Sequence, residues 1–277
     1  AFMQDYDPNI EGNLDDYEHS TDYLSGGDIE FADLIAHVDF RLWEHDFSAI
    51  LADTSADRTG GLDADFGPSS AIVGEGGGTS DQTSLELRMM SDPGTLEYIT
   101  GIYYFKLDRT DLTDTYVNHL IFAQAVLTGS FVSVPGIGQV LTAAGPGSSD
   151  AKDSDRKRNT FRQYGDSYAA YGQLTWNLAE RWSLIGGARY SVDYKNLDFK
   201  NDLTPPEGGD GPALVWEGVL GAEEFHVFPS RKDESFTPKI SLIHYLSDEV
   251  NVYATYAKGF KGGGYNASAS KNGDIEF

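Results

Sequence analysis

The chain has 277 residues, of which 40% are hydrophobic and 13% aromatic, a composition that excludes a disordered polymer. Its 44 acidic and 20 basic residues give a formal net charge of −24, which excludes the basic stripe that a nucleic-acid partner requires. No stretch approaches about 18 consecutive apolar residues, so no membrane-crossing helix is expected, and 31 glycines without a single cysteine lean towards turn-rich β-structure free of disulfides.

Residues 1–32 read as an incoming polar segment, and the start AFMQDYDPNIEG has no charged stretch followed by an apolar core, so no secretion signal is expected in it. The first period-two segment runs from Asp33 to Trp43. Leu34, Ala36, Val38, Phe40 and Leu42 share one face, and Asp33, His37, Asp39 and Arg41 share the other, with Ile35 the one large aliphatic exception. Weaker alternation follows over Asp46 to Asp53, Thr83 to Ser91, Leu96 to Leu107 and Asp166 to Leu178. Arg181 to Lys195 is again clear, with Trp182, Leu184, Gly186, Ala188, Tyr190, Val192 and Tyr194 on one side. Phe236 to Leu246 and Val250 to Phe260 complete the set, although their facing is not fixed by the pattern.

Most of these segments cover roughly ten residues, the span of a tilted membrane strand, where strands of soluble domains cluster near five or six. They pair through short turns at Glu44 and His45, at Asp92 to Thr95, at Ala179 and Glu180, and at Ser247 to Glu249. Between the hairpins 33–53, 83–107, 166–195 and 236–260 lie long polar stretches at about 54–82, 108–165 and 196–235. Short and long links that alternate along the chain are what a membrane barrel needs, with tight turns at one rim and long loops at the other. A mean hydropathy of −0.39 does not oppose this, because every second strand residue of a barrel faces a polar lumen. Trp43, Trp176, Trp182 and Tyr245 lie beside the short turns, where an interfacial girdle would place them; aromatic packing across the hairpins is the other reading.

Three blocks carry a family resemblance. SLELRMMSDPGTLEYITGIYYFKLD (84–108), DSYAAYGQLTWNLAERWSLIGGARYSVDYK (166–195) and FTPKISLIHYLSDEVNVYATYAKGFKGGGYN (236–266) resemble, in order and spacing, successive barrel hairpins of TonB-dependent outer-membrane receptors. GGDIEFADLIAHVDFRLWEHDFSAILADTS resembles the preceding hairpin more weakly. The resemblance implies an all-β fold, an antiparallel transmembrane β-barrel segment with about eight of the family's 22 strands. The whole chain, 1–277, is then part of one barrel domain, with the plug domain absent and Phe277 a truncation point. It also implies the bacterial outer membrane and uptake of a scarce nutrient, above all a ferric siderophore. The partners would be TonB and its inner-membrane energising complex, acting through the missing plug, and lipopolysaccharide around the barrel.

No enzyme is expected, since there is no Gly-x-Ser-x-Gly elbow and no cysteine nucleophile. His19, His37, His45, His119, His226 and His244 lack metal-ligand spacing, so neither a metal nor a cofactor is expected. Asp63 and Asp65 open like a calcium loop, but the twelfth position is Gly74. The run Gly74 to Gly78 reads as a loop tip rather than a phosphate cradle. The basic cluster Lys152, Arg156, Lys157, Arg158 and Arg162, placed at the end of the longest loop, could hold an anion or a ferric chelate through guanidinium forks. Trp216 and His226 could add an aromatic face. Alternatively, the basic cluster meets lipopolysaccharide phosphates or balances nearby aspartates. His37, Asp39, Arg41 and Arg189 are expected to face the lumen. Two other readings stay open: a passive porin or small closed eight-stranded barrel, and a secreted carbohydrate-binding β-sandwich whose Leu34, Val38, Phe40 and Leu42 face packs on a second sheet.

Overall fold

A computed structural model describes residues 23–64, 71–118, 155–205, 213 and 215–277. Nine strands form one antiparallel sheet: β1 Gly26–Leu42, β2 His45–Asp63, β3 Ile72–Met90, β4 Leu96–Val117, β5 Asp155–Ala179, β6 Trp182–Thr204, β7 Phe225–Val227, β8 Ser230–Tyr245 and β9 Asn251–Ala257. The spatial order is β1-β2-β3-β4-β5-β6-β8-β9, with β7 adding a short pairing to β6 beyond the start of β8. No second sheet covers either face among the described residues, and β1 and β9 do not pair, so this chain forms neither a sandwich nor a small closed barrel.

All eight expected strands are present, but β2 to β6 are 19 to 25 residues long, about twice the expected length. The polar stretches assigned to loops are largely strand, including Gly74 to Gly78, which lies inside β3 rather than at a loop tip. Residues 26–32, expected as incoming loop, belong to β1. The extensions lack a period-two signal because both of their faces are polar, so alternation disappears while backbone pairing continues. The first turn is Trp43–Glu44, one residue earlier than expected. Both residues have positive φ, 51° and 65°, as a two-residue turn of the mirror-image type that suits strand twist requires.

Because directly paired residues share a face, the register resolves two surfaces. One is apolar and runs in rows across the sheet. Val38, Ala49, Leu87, Ile102, Ala170, Tyr190 and Phe236 form one such row, and Leu96, Trp176, Leu184 and Leu242 form another nearer the short turns. Leu34 is 68% exposed and Ile102 60%, so nothing among the described residues seals this face. Polar groups on it are locally satisfied: the Thr100 hydroxyl donates to the Tyr171 carbonyl (2.9 Å), and the Tyr98 hydroxyl meets His45 Nε2 (2.7 Å).

The opposite face is polar. His37 Nε2 lies 2.8 Å from Ser48 Oγ and 3.0 Å from Asp39, and Arg41 bridges Asp46 (3.1 Å) and Asp92 (2.6 Å). Gly101 stands opposite Tyr171, and a Cβ there would meet the Tyr171 hydroxyl at 2.6 Å. Its absence lets the tyrosine cross to Glu86 (2.5 Å), which also holds Arg88 (2.5 Å). Arg189 stacks over Tyr103 (5.3 Å) and Tyr171 (5.9 Å).

Well-buried apolar clusters occur on this polar face, far from the short turns. Phe161, Leu197 and Phe199 pack with Tyr265, Ala269 and Ile275 of the segment after β9. Val117 and Leu203 pack with Val215 and Trp216 of a π-helical turn, Val215–Val219.

Candidate functional site

At the end of the sheet away from the short turns, the polar face of β1–β4 carries a patch almost free of side chains. Gly27 pairs with Gly60, Gly60 with Gly76 and Gly76 with Thr113, so three adjacent strands present backbone in one row. In the next polar-face row Arg58 pairs with Gly78 and Gly78 with Asp111. Together these rows line an open cavity of about 770 Å³, to whose lining Ala267 and Ser268 also contribute. The segment after β9 reaches that position because its aromatic and aliphatic side chains are anchored on β5 and β6.

Two guanidiniums share one carboxylate at the cavity wall. Arg58 bonds Asp111, and Arg109 Nε lies 2.6 Å from its other oxygen. The Asp111 side chain is only 9% exposed, whereas Arg58 is 51% and Arg109 39% exposed, so the cations rather than the anion front the cavity. Glu75 also lines it and accepts from the Tyr23 hydroxyl (2.8 Å). Arginine forks above a flat backbone floor suit a planar ligand that carries carboxylate or phenolate oxygens. The sequence reading missed Arg58, Arg109 and Asp111; the available signal was that Arg58 keeps the period-two phase of β2 beyond its recognised end.

The basic cluster is split by the pleat of β5 rather than gathered on a loop. Arg156, Arg158 and Arg162 point to the face opposite the cavity, and Lys157 points to the cavity's face. Arg158 forks onto Asp114 (2.7 and 2.6 Å), and Arg156 donates to Thr204 Oγ1 (3.2 Å). Lys157 is buried, sits 5.0 Å over the Trp216 ring and donates to Ser270 Oγ (2.9 Å). His226 bonds Asp198 (2.8 Å) and leans on Phe228. None of the described members of this set, nor Trp216, lines the cavity; Lys152 lies outside the described residues.

His37, Asp39, Arg41 and Arg189 all lie on the polar face. Trp176 and Trp182 lie on the apolar face near the short turns, with Trp182 stacked on His244 at 4.0 Å. Trp43 stands at a turn apex and is 81% exposed. Tyr245 has the opposite phase to His244 and falls on the polar face. A second ring of aromatics, which the sequence reading did not single out, crosses the apolar face at its other border: Tyr104, Tyr168, Tyr190 and Tyr194. Their hydroxyls and neighbours begin the charged rows, with Tyr104 bonded to Asp166 (2.9 Å) and Tyr190 to Glu234 (2.9 Å). Among the described residues no group of three or more His, Cys, Asp or Glu could hold a metal ion; Asp65 and His119 lie outside them.

One carboxyl near the cavity titrates unusually. Asp155, at the start of β5 and 1% exposed, accepts the Val215 N–H (2.6 Å), and its carbonyl accepts Trp216 Nε1 (3.3 Å). Burial pushes its pKa up to about 6 against the pull of these hydrogen bonds, and Glu217 adds to the rise. Since the folded value lies above the ordinary 3.8, this group's stabilising contribution is full below about pH 4 and is lost as pH rises through about 6. The clasp between β5 and the π turn is therefore expected to hold more tightly at pH 4.5 than at pH 7.5, by up to about 2 kcal/mol. Amide exchange of residues 215–219, corrected for intrinsic rates, measures this, and Asp155→Asn should flatten the profile. A profile flat in the parent chain contradicts the assignment.

Comparison with known proteins adds the following. The family model described as TonB dependent receptor-like, beta-barrel matches residues 3–275. Pesticin receptors of Yersinia enterocolitica and Yersinia pestis are 29% identical over 101 residues, 36% of this chain and 12% of theirs. The ferric yersiniabactin uptake receptor FyuA from Yersinia pestis superposes with a TM-score of 0.63 at 17% identity, covering 88% of this chain and 30% of that one. The ferric-catecholate import receptor Fiu from E. coli K12 superposes with a TM-score of 0.50 at 13% identity, covering 90% and 38%. The chain thus spans well under half the length of the proteins that it matches.

Proposed function

From the membership of this chain in the TonB-dependent receptor-like β-barrel family, which places it in the outer membrane, we propose that it forms part of the wall and extracellular vestibule of a receptor for a ferric siderophore. The observation that carries this reading is the cavity on the polar face, paved by Gly27, Gly60 and Gly76 and fronted by Arg58 and Arg109. The short turns take the periplasmic side and the cavity opens at the extracellular end. Relatives named for ferric yersiniabactin and ferric catecholate import support an iron-chelate cargo.

In this reading the chain performs no covalent chemistry. The guanidiniums hold anionic oxygens of the chelate, the glycine floor lets a flat ligand approach the backbone, and the Glu86–Arg88–Tyr171–Arg189 network forms lumen wall facing the plug. TonB and its proton-driven inner-membrane complex supply the work through that plug.

The test is a titration of the full-length receptor with ferric catecholate, phenolate–carboxylate and neutral hydroxamate chelates, paired with uptake in cells with and without TonB. Saturable binding of at least one anionic chelate and TonB-dependent uptake are expected. TonB-independent passage of unrelated small solutes would instead favour a porin.

A further inference from the structure

The polar face of β1 is not polar throughout. Gly27, Ile29, Phe31, Asp33 and Ile35 share it, and Ile29 and Phe31 are each 71% exposed, beside the cavity rather than beneath a cover. Large apolar side chains on a water-facing wall are unfavourable unless something apolar meets them. A further strand paired to the outer edge of β1 would extend the sheet sideways and leave its faces as they are, so only a body inside the lumen can cover this pair.

The register ties these side chains to the arginines. Ile29, Arg58, Gly78 and Asp111 form one row, and Phe31, Ala56, Ser80 and Arg109 form the next. Both rows start on β1 with a bulky apolar side chain, stay small on β3, and end on β4 in the ion cluster of Asp111 and Arg109, which Arg58 joins from β2. Three strand spacings, about 14 Å in all, separate the apolar end from the charged end. Leu62, on the same face and beyond Gly60, lines the cavity together with Ile29. Asp33 ends the apolar run on the other side, so the shelf is confined to the level of the cavity and Ile35 lies below it.

We propose that Ile29, Phe31 and Leu62 select the cargo: the receptor takes an amphiphilic ferric chelate, whose anionic oxygens meet Arg58 and Arg109 while an alkyl or aromatic arm crosses the glycine floor to the shelf on β1. This rests on the cavity being the seat of an anionic ferric chelate, and it narrows that class to chelates with an apolar arm. A wholly hydrophilic chelate satisfies the arginines but leaves Ile29 and Phe31 wet, so the stabilisation from covering them is lost.

The full-length receptor is titrated with the ferric complexes of two synthetic chelators that share one catecholate–carboxylate head, one bare and one bearing an octyl arm. The armed complex is expected to bind at least about ten-fold more tightly. Ile29→Ser combined with Phe31→Ser should cut its affinity about ten-fold while changing that of the bare complex by less than about two-fold. Arg58→Ala, in contrast, should weaken both complexes. Equal affinities of the two complexes for the parent receptor would overturn the selection and leave the chelate reading standing, whereas failure of both to bind would remove the two together. Equal losses of both complexes in the serine variant would mean that another part of the receptor packs on the shelf, and an armed complex indifferent to Arg58→Ala would be held elsewhere; either result overturns the proposal. The affinity ratio in the parent receptor is read without any variant, so poor folding of the serine variant does not remove the test.

Discussion

Met89→Arg is expected to destabilise the receptor in a bilayer by about 2–4 kcal/mol, whereas Met90→Arg, one residue along the same strand, should cost less than about 1 kcal/mol. Met89 pairs with Phe47 and Thr100 in the central row of the apolar belt, between the row of Trp176 and that of Tyr168. A guanidinium there must either lose its hydration or drag water and headgroups inward. Met90 pairs with Asp46 on the polar face, in the row of Arg41, where a carboxylate and an aqueous lumen receive the charge. Nature already tolerates arginine at this depth on that face, since Arg88 lies two residues before Met90 in the same phase. Urea unfolding in lipid vesicles gives both numbers. Equal costs would mean that the two faces see the same medium, and the membrane reading of the sheet would fail.

The second large effect concerns the cavity. Arg58→Ala or Arg109→Ala should weaken binding of an anionic ferric chelate by roughly ten- to a hundred-fold each, since a hydrogen bond to a charged group contributes about 1.5–3 kcal/mol. The double variant should lose more than the product of the two, because each single variant leaves one cation on Asp111, whereas removing both leaves that carboxylate, 9% exposed, unpaired and facing an anionic ligand. Arg58→Lys should not restore affinity, as an ammonium cannot reproduce a planar fork. Affinities within two-fold of the parent in all three would remove the cavity as the binding site. Lys157→Ala offers a contrast: its ammonium is covered by Trp216 and Ser270, so it should loosen the π turn before it alters ligand contact.

The eight principal strands, their antiparallel pairing and the apolar-face phase of β1 and β6 were legible in the sequence because a strand that is apolar on one face only must alternate. Leu34 to Leu42 and Trp182 to Tyr194 show that pattern, with Ile35 and Ile185 as the large aliphatic exceptions. The extracellular halves of the strands were not legible, for the converse reason: with water on both sides, the run from Thr54 to Asp63 has no apolar phase to read. The same blindness turned Gly74 to Gly78 into a supposed loop tip and gathered Arg156 to Arg162 into a supposed patch. Once β5 is known to extend to Asp155, period two sends Lys157 to one face and its three arginine neighbours to the other. The ion pair of Arg58 with Asp111, 53 positions apart, depends on a three-strand register that no local pattern encodes.

The two aromatic borders of the belt set a length. Tyr168 and Trp176 lie eight residues apart on β5, about 27 Å along the strand, which a barrel tilt near 35–45° shortens to roughly 19–22 Å of depth. An average hydrocarbon layer is about 30 Å thick. Surrounding lipid must therefore pinch inward around this wall, and a bilayer of shorter tails accommodates it with less distortion. Thickness itself thus becomes a sorting signal that holds such a protein in the thinner of a bacterium's two membranes.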